Sequence, residues 1–384
     1  MLDTTSRLEL SQSALEQNIQ FLKEVIGTHI RFSSVVKGNA YGHGIEQFVP
    51  MAEKAGINHF SVFSSDEAFR VYQAAKNKPD IMIMGWLDPD DMAWAIRHNI
   101  SFWIYDHEKI DRVIALSKKL NRKARIHLEL ETGMNRTGLS ETGLLYTIDR
   151  IKENQENIVL DGLCTHYAGA ESVANFVRVN RQISRFNKYH KLIISKGLKP
   201  AYRHTACSAA AMNYPRTRMD MVRMGIMQYG FWPSIETFIQ YIHDKTNRAD
   251  PLDRIISWKT KVMSIKKVNE GEFISYGTTY MAREEKKIAI IPVGYSHGYS
   301  RMLSNQGRVL IGGYRVGVIG MVNMNMLIAD VTSVPDVQQG DEVVIIGKQE
   351  GLEITVASFS EISNQVNYEL LVRLPATTKR IIID

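Results

Sequence analysis

Apolar and polar positions follow two rhythms along this chain. Short runs rich in β-branched and aromatic side chains give way to longer stretches in which apolar residues return every third or fourth place, the signatures of buried strands and amphipathic helices. After an opening strand and the helix "SALEQNIQFLKEVIG" come "IRFSSVV", "HFSVF", "DIMIMG", "SFWIY", "ARIHLEL", "IVLDGLCTH", "AYRHTA" and "MDMVRMG", eight strand candidates in all. Helical stretches lie between them, among them "SDEAFRVYQAAK", "DPDDMAWAIRHN", "DHEKIDRVIALSKKL" and "VANFVRVNRQISRFNKYHKLIISKG". Alternation of this kind implies a parallel sheet, and eight such units over about 230 residues are what a closed (β/α)8 barrel requires.

Beyond "QYGFWPS" the rhythm changes. The polar stretch "HDKTNRADPLDR" is followed by short strands with turn signals and hardly any helix: "ISWKTKVMSIKKV", "KKIAIIPVGYS", "RVLIGGYRVGVIG", "NMLIADVT" and "DEVVIIG". The prediction is an α/β protein with an N-terminal barrel domain over residues 1–242 and a C-terminal, mostly antiparallel β domain over 243–384. One helix, near "ASFSEISNQV", is expected to interrupt the second domain.

Composition narrows the class without changing this picture. Of 384 residues, 44% are apolar and 23% charged, as in ordinary soluble domains. No apolar run is long enough to span a membrane, and the N-terminus lacks the order of a signal peptide, so a cytoplasmic protein is expected. The net charge of +6 is spread among 41 acidic residues without a basic tail, which argues against a nucleic-acid partner. Cys164 and Cys207 form no C-x-x-C pattern, and the histidines show no metal-binding spacing, so neither a disulfide framework nor a metal site is expected.

In a barrel of this kind the chemistry gathers at the C-terminal ends of the strands. Lys37 and Tyr41 follow the first strand, Arg136 the fifth, His166 the sixth and Ser208 the seventh, while Arg223, Gly225 and Ile226 close the eighth. Cations, a histidine and hydroxyls converging on one mouth suit a small anionic ligand carrying phosphate or carboxylate. Lys37 is the candidate nucleophile: desolvated beside two arginines it should lose basicity, which favours a Schiff base with an aldehyde. Each residue alone has an ordinary structural reading; the combination carries the signal.

That combination closely resembles the alanine racemase family. The resemblance runs through "VVKGNAYGHG", "ETGMNRTG", "GLCTHYA", "RMGIMQYG", "ISYGTTY", "IPVGYSHGYSR" and "GMVNMNM", nearly the whole chain. It implies a pyridoxal 5′-phosphate enzyme acting on a small amino acid, and a head-to-tail homodimer with shared active sites. By resemblance Lys37 carries the cofactor, Tyr41, Ser208, Gly225, Ile226 and Tyr368 hold its phosphate, and Arg223 faces the pyridine nitrogen. His166 would hydrogen-bond Arg223, and Arg136 would lie beside the phenolic oxygen. Racemisation needs proton carriers on both faces of Cα, which the resemblance gives to Lys37 and to Tyr276 from the partner subunit. It also places Tyr295 at the entrance and Met324 at the substrate carboxylate.

The chain departs from the family pattern at several of these places. Glu129 stands where a carbamylated lysine is usual, and is expected to present its charge to Arg136 without modification. The common "CMD" triplet is Asn323-Met324-Asn325, "GYADG" is Gly294-Tyr295-Ser296-His297-Gly298, and Cys207 replaces a common asparagine. These changes bear on substrate choice, leaving serine or lysine racemisation as the alternative to alanine for D-amino-acid supply to peptidoglycan. A barrel-type decarboxylase lacks support, because neither a glycine triplet for phosphate nor the cysteine-containing loop is present. A non-catalytic cofactor-binding protein is disfavoured because both candidate bases are retained.

Overall fold

The computed structural model describes residues 4–359 and 367–384. The chain divides into two compact units, one of Ala14–Lys37 with Phe48–Asp253, the other of the N-terminal residues up to Ser13, Gly38–Gln47 and Arg254–Asp384. Strand β1 spans Ser6–Ser11. The eight runs predicted as barrel strands all form: β2 Arg31–Val35, β3 His59–Val62, β4 Asp80–Ile83, β5 Ser101–Ile104, β6 Ala124–Glu129, β7 Ile158–Cys164, β8 Tyr202–His204 and β9 Met221–Met224.

These strands lie side by side and parallel in the order β8-β7-β6-β5-β4-β3-β2-β9. The ring closes where the Arg223 N–H donates to Ala206 O at 3.0 Å, with Cys207 and Arg223 paired as a parallel bridge. β3, β5 and β9 are buried along their whole length, as parallel strands covered on both faces must be. The helices present an apolar stripe: in Phe176–Ser195 the buried Val179, Ile183, Phe186, Tyr189 and Ile193 recur at three- and four-residue spacing. At the opposite end of the strands from the mouth, Arg125 bonds Asp161 at 2.6 Å and Asp80 at 2.9 Å, with Arg31 also on Asp80.

In the other unit, β10 Ile256–Lys261, β11 Ser264–Val268, β12 Lys286–Ile291, β13 Arg308–Ile311, β14 Tyr314–Gly317, β15 Leu327–Asp330, β16 Glu342–Gln349, β17 Leu352–Ile354 and β18 Lys379–Ile383 complete the strands. They make a sheet of order β14-β13-β16-β10-β1-β18, with β17 on β16, and a smaller sheet β11-β12-β15. The run "ISWKTKVMSIKKV" is two strands: Val262 donates to Asp341 O and Met263 to Ile290 O, so the chain passes from one sheet to the other there. Gly312 and Gly313, both at positive φ, supply the tight turn between β13 and β14.

A boundary at residues 242/243 assigns β1 to the barrel domain, but β1 pairs antiparallel with β10 and parallel with β18. Its alternating burial explains this: Leu8 and Leu10 are buried while Arg7 and Glu9 are not fully so, a pattern for a strand covered on one face. The helix expected over 357–366 lies mostly outside the described residues; a six-residue helix follows it at Asn367–Val372.

Candidate active site

The first strand of the barrel ends at Val35, and Lys37 opens a turn of unusual hand. Gly38, Asn39, Ala40 and Tyr41 all have φ between +51° and +62°. Three of these are not glycine, and left-handed backbone disfavours such residues by about 1–2 kcal/mol each. Local bonds hold the turn: Gly42 N–H donates to Gly38 O at 2.9 Å, Ile45 N–H to Asn39 Oδ1 at 3.2 Å, and Arg380 to Gly42 O at 2.8 Å. Tyr41 packs edge-on against Tyr368 with ring centroids 6.3 Å apart.

Within the barrel unit, Lys37 is a solvent-exposed residue whose amine is nonetheless partly desolvated by surrounding protein. That desolvation is the first cause lowering its pKa; Arg136 and Arg223 add to it, and Glu67 and Cys207 oppose. A lysine so placed offers more free amine at neutral pH than a surface lysine does. Arg136 is exposed, and His166 is half-buried with its pKa down to about 3, chiefly by burial and then by Arg223, Arg136 and Lys37.

Arg223 is the most constrained of the cations. Its Nη1 donates to His204 Nδ1 at 2.8 Å and to His204 O, and its Nη2 to Thr165 O at 2.8 Å and Thr205 O at 3.3 Å. Its guanidinium carbon sits 5.3 Å from the centre of the Trp103 ring. Both terminal nitrogens are thereby committed, and Nε–H is the donor left for a ligand. The hydrogen bond expected from His166 thus comes from His204; among the described residues the His166 imidazole makes none, and its carbonyl accepts from Gln182.

Because a guanidinium only donates, His204 Nδ1 must be an acceptor, which puts the His204 proton on Nε2. His204 Nε2 is 2.8 Å from His127 Nδ1, so His127 accepts there and its own Nε2–H points at Ser101 Oγ, 3.2 Å away. Burial drives the pKa of both histidines well below the ordinary value, which keeps both neutral and this order of protons in place. Gly162 makes the room: a Cβ there would collide with His127 Nδ1 and come within 2.8 Å of His204 Nε2. The β6–β7 register shifts between Ile126 and His127, beside that glycine.

Ser208 and Gly225 meet at the end of β9, where the Gly225 N–H donates to Ser208 Oγ at 2.9 Å. The neighbouring Ile226 opens a short 3-10 turn, Ile226–Tyr229, whose first N–H groups have no partner within the turn. Glu129, at the end of β6, is buried with Oε2 lacking any hydrogen-bond partner. Burial raises its pKa, against a bond from Thr137 and the charges of Arg136 and Arg223. Glu129, expected to present its charge to Arg136, makes no ion pair with it among the described residues; the arginine acts on it only through its field. Cys164 and Cys207 are both free thiols.

The second unit gathers three loops. Tyr276, 72% exposed, lies between Ser275 and Gly277, each at φ +68°. Ser275 Oγ is 2.7 Å from Met321 O, joining this loop to the one carrying Met324. Tyr295 N–H donates to Asn323 O and Ser296 N–H to Met324 O, both at 3.0 Å. Asn325 Nδ2 donates to Ser296 Oγ at 3.0 Å. A side chain at Gly294 would run into the Asn323 and Met324 carbonyls, so the turns bearing Tyr295 and Met324 are in direct backbone contact.

The roles of His204, His127 and Thr165 are absent from the motif reading. The available signal was that His127 and His204 fall in the interior of barrel-strand runs, "RIHLE" and "AYRHTA", where a buried imidazole needs a partner.

Comparison with known proteins follows the same division. A family model described as "Alanine racemase, N-terminal domain" matches residues 10–233, and "Alanine racemase, C-terminal domain" matches 255–382. The alanine racemase of Leptospira interrogans serovar copenhageni is 32% identical over 386 residues, covering 100% of this chain and 97% of that protein. The structure of alanine racemase from Bacillus anthracis with bound L-Ala-P superposes with a TM-score of 0.90 at 29% identity, covering 100% and 96% of the two chains. An alanine racemase structure from Clostridium difficile 630 does so with a TM-score of 0.91 at 27% identity, covering 100% and 97%.

Proposed function

The chain belongs to the alanine racemase family, and on that premise we propose that it interconverts L- and D-alanine by a two-base mechanism, for D-amino-acid supply to peptidoglycan. It is a pyridoxal 5′-phosphate-dependent racemase, an isomerase. The residues present fit that cofactor: a desolvated amine at Lys37 for its aldehyde, one uncommitted N–H on Arg223 for its ring nitrogen, and the Ser208 hydroxyl with the Ile226 backbone for its phosphate. When bound, the cofactor withdraws electrons from the attached amino acid and makes its Cα–H acidic.

The protein's part is to orient and to carry protons. Arg223, held by His204 and the Thr165 and Thr205 carbonyls, presents a donor where many enzymes of this cofactor class present a carboxylate. Its Nε–H would donate to the cofactor's ring nitrogen without giving up the proton, which would restrain electron withdrawal and with it transamination. Lys37 Nζ holds or takes the proton on one side of Cα, and Tyr276 Oη on the other. A phenol is a weak base unless positive charge assists it, and Arg136 is the cation we assign to that task. Met324 would line the carboxylate of the substrate, Tyr295 its way in, and Tyr41 and Tyr368 the phosphate. The same reading makes the enzyme a cytoplasmic homodimer in which residues 243–384 complete the partner's site, with no nucleic-acid or membrane partner. No helix among the described residues is long and apolar enough to cross a membrane.

The observation that carries this reading is Arg223: a buried guanidinium whose terminal nitrogens are both spent on the barrel, leaving Nε–H at a mouth it shares with a lysine whose pKa is lowered by burial and then by Arg136. The test is deuterium incorporation at Cα from D2O across L-alanine, L-serine and L-lysine. Exchange with inversion, fastest on alanine, is the expected result. Faster inversion of serine or lysine would move the assignment to the broader racemases, for which the amides at Asn323 and Asn325 speak. Exchange without inversion on every substrate would sink racemisation altogether.

A further inference from the structure

Within its own chain Tyr276 is held through its backbone alone. Its ring is largely exposed and makes no hydrogen bond or ring contact among the described residues, so its direction is set by the backbone on either side. That backbone is strained, with Ser275, which is not a glycine, in the left-handed region and Gly277 beyond it. Such a conformation persists only where surrounding bonds enforce it.

The enforcing bonds converge on one residue. Ser275 Oγ lies 2.7 Å from Met321 O and 3.1 Å from Asn323 Oδ1, two acceptors. A hydroxyl has a single proton, and the shorter contact to Met321 O takes it. The Asn323 amide then bonds Ser275 by donating: a half-turn of the amide exchanges oxygen for nitrogen and sets an N–H toward Oγ. The backbone of Asn323 is itself pinned, its N–H donating to Met326 O at 2.9 Å and its carbonyl accepting from Tyr295 N–H at 3.0 Å. Neighbouring Gly320, at φ +70°, approaches so closely that a Cβ would lie 2.5 Å from Ile274 O, so the loops have no slack with which to replace a lost bond.

We propose that Asn323 is a positioning residue for Tyr276, its side-chain amide donating to Ser275 and so fixing the strained turn that aims the phenol; the inference rests on Tyr276 being one of the two proton carriers. An aspartate of the same shape offers no N–H, and the family's usual cysteine only a weak donor, so the amide is specific to the task.

Two measurements test this on Asn323→Ala, Asn323→Asp and Tyr276→Phe. In the apoenzyme, hydrogen exchange of backbone amides over 272–281 should quicken about tenfold in both Asn323 variants, with other segments unchanged, as expected when a local bond holding the turn is lost. In the holoenzyme, misaiming one base should lower inversion by about ten- to a hundredfold. Solvent exchange of the Cα–H of the enantiomer served by Lys37 should be retained. Should Asn323→Ala prove too unstable to purify, Ser275→Ala removes this bond together with the one to Met321 O and should give the same pattern, at least as strongly. Wild-type amide exchange in Asn323→Ala, wild-type behaviour of Asn323→Asp, or equal loss of exchange for both enantiomers would each overturn the proposal. If Tyr276→Phe itself fails to discriminate between enantiomers, the base assignment falls; the apoenzyme amide exchange still judges the link between Asn323 and the turn.

Discussion

Glu129 shows how much one buried carboxyl says about the site. Its Oε2 has no partner, burial holds its pKa above the ordinary range, and Arg136 and Arg223 only partly oppose this. A carboxyl whose folded value is raised binds its proton more tightly in the native state, so its stabilising contribution is complete below the ordinary glutamate value and is lost as pH rises through the folded one. Glutamine does not titrate. The melting temperature of apo Glu129→Gln should therefore gain on the wild type across that window, by roughly a degree or two at pH 8, and the advantage should shrink toward pH 4. A wild type that gains on the variant as pH rises would mean that the carboxylate is stabilised after all. At Arg223 the expectation concerns chemistry: Arg223→Glu should lower racemisation by more than about tenfold and raise the share of transamination, read by amino-acid and keto-acid analysis. The arginine was legible in "RMGIMQYG"; its histidine was not. His166 is nearer in the motif pattern, but only the inward-facing layer of β8 brings His204 within 2.8 Å.

At the scale of elements, strand β7 contains a glycine that no turn requires. Gly162 faces His127 across the β6–β7 ladder, where the register slips, and the missing side chain is filled by the two imidazoles. Gly162→Ala should therefore overpack the barrel axis, lowering stability by about 1–3 kcal/mol in urea melts. It should also disorder the chain of bonds that ends on Arg223, so racemase activity should fall further than the loss of folded protein accounts for. Activity that merely tracks the folded fraction would separate the histidine pair from the site. The strands themselves were legible because short runs rich in β-branched and aromatic residues alternate with helical stretches, and all eight form where those runs lie. β1 was misassigned because an alternating strand reports that one face is covered without reporting by what.

At the scale of the whole molecule, the proposed shared sites make a quantitative prediction. If each site takes Lys37 from one subunit and Tyr276 from the other, inactive Lys37→Ala and Tyr276→Phe chains should complement when co-expressed. Random assembly puts half the dimers in the mixed class and leaves half of their sites intact, about a quarter of wild-type activity. No recovery in verified mixed dimers would mean that both groups serve one chain's own site. The amino-acid sequence by itself determined the alternation that becomes a closed barrel, the change of rhythm that becomes a β unit, and a lysine at the end of the first barrel strand. These are local properties, written in the spacing of apolar residues and in what immediately follows a strand. Tertiary structure alone decided that His204 rather than His166 meets Arg223, that one oxygen of Glu129 is buried without a hydrogen bond, and that Asn323 reaches Ser275. Such contacts join residues far apart in the chain, and they depend on strand register, inward or outward facing, and the close approach of glycine backbones, none of which the spacing of apolar positions encodes.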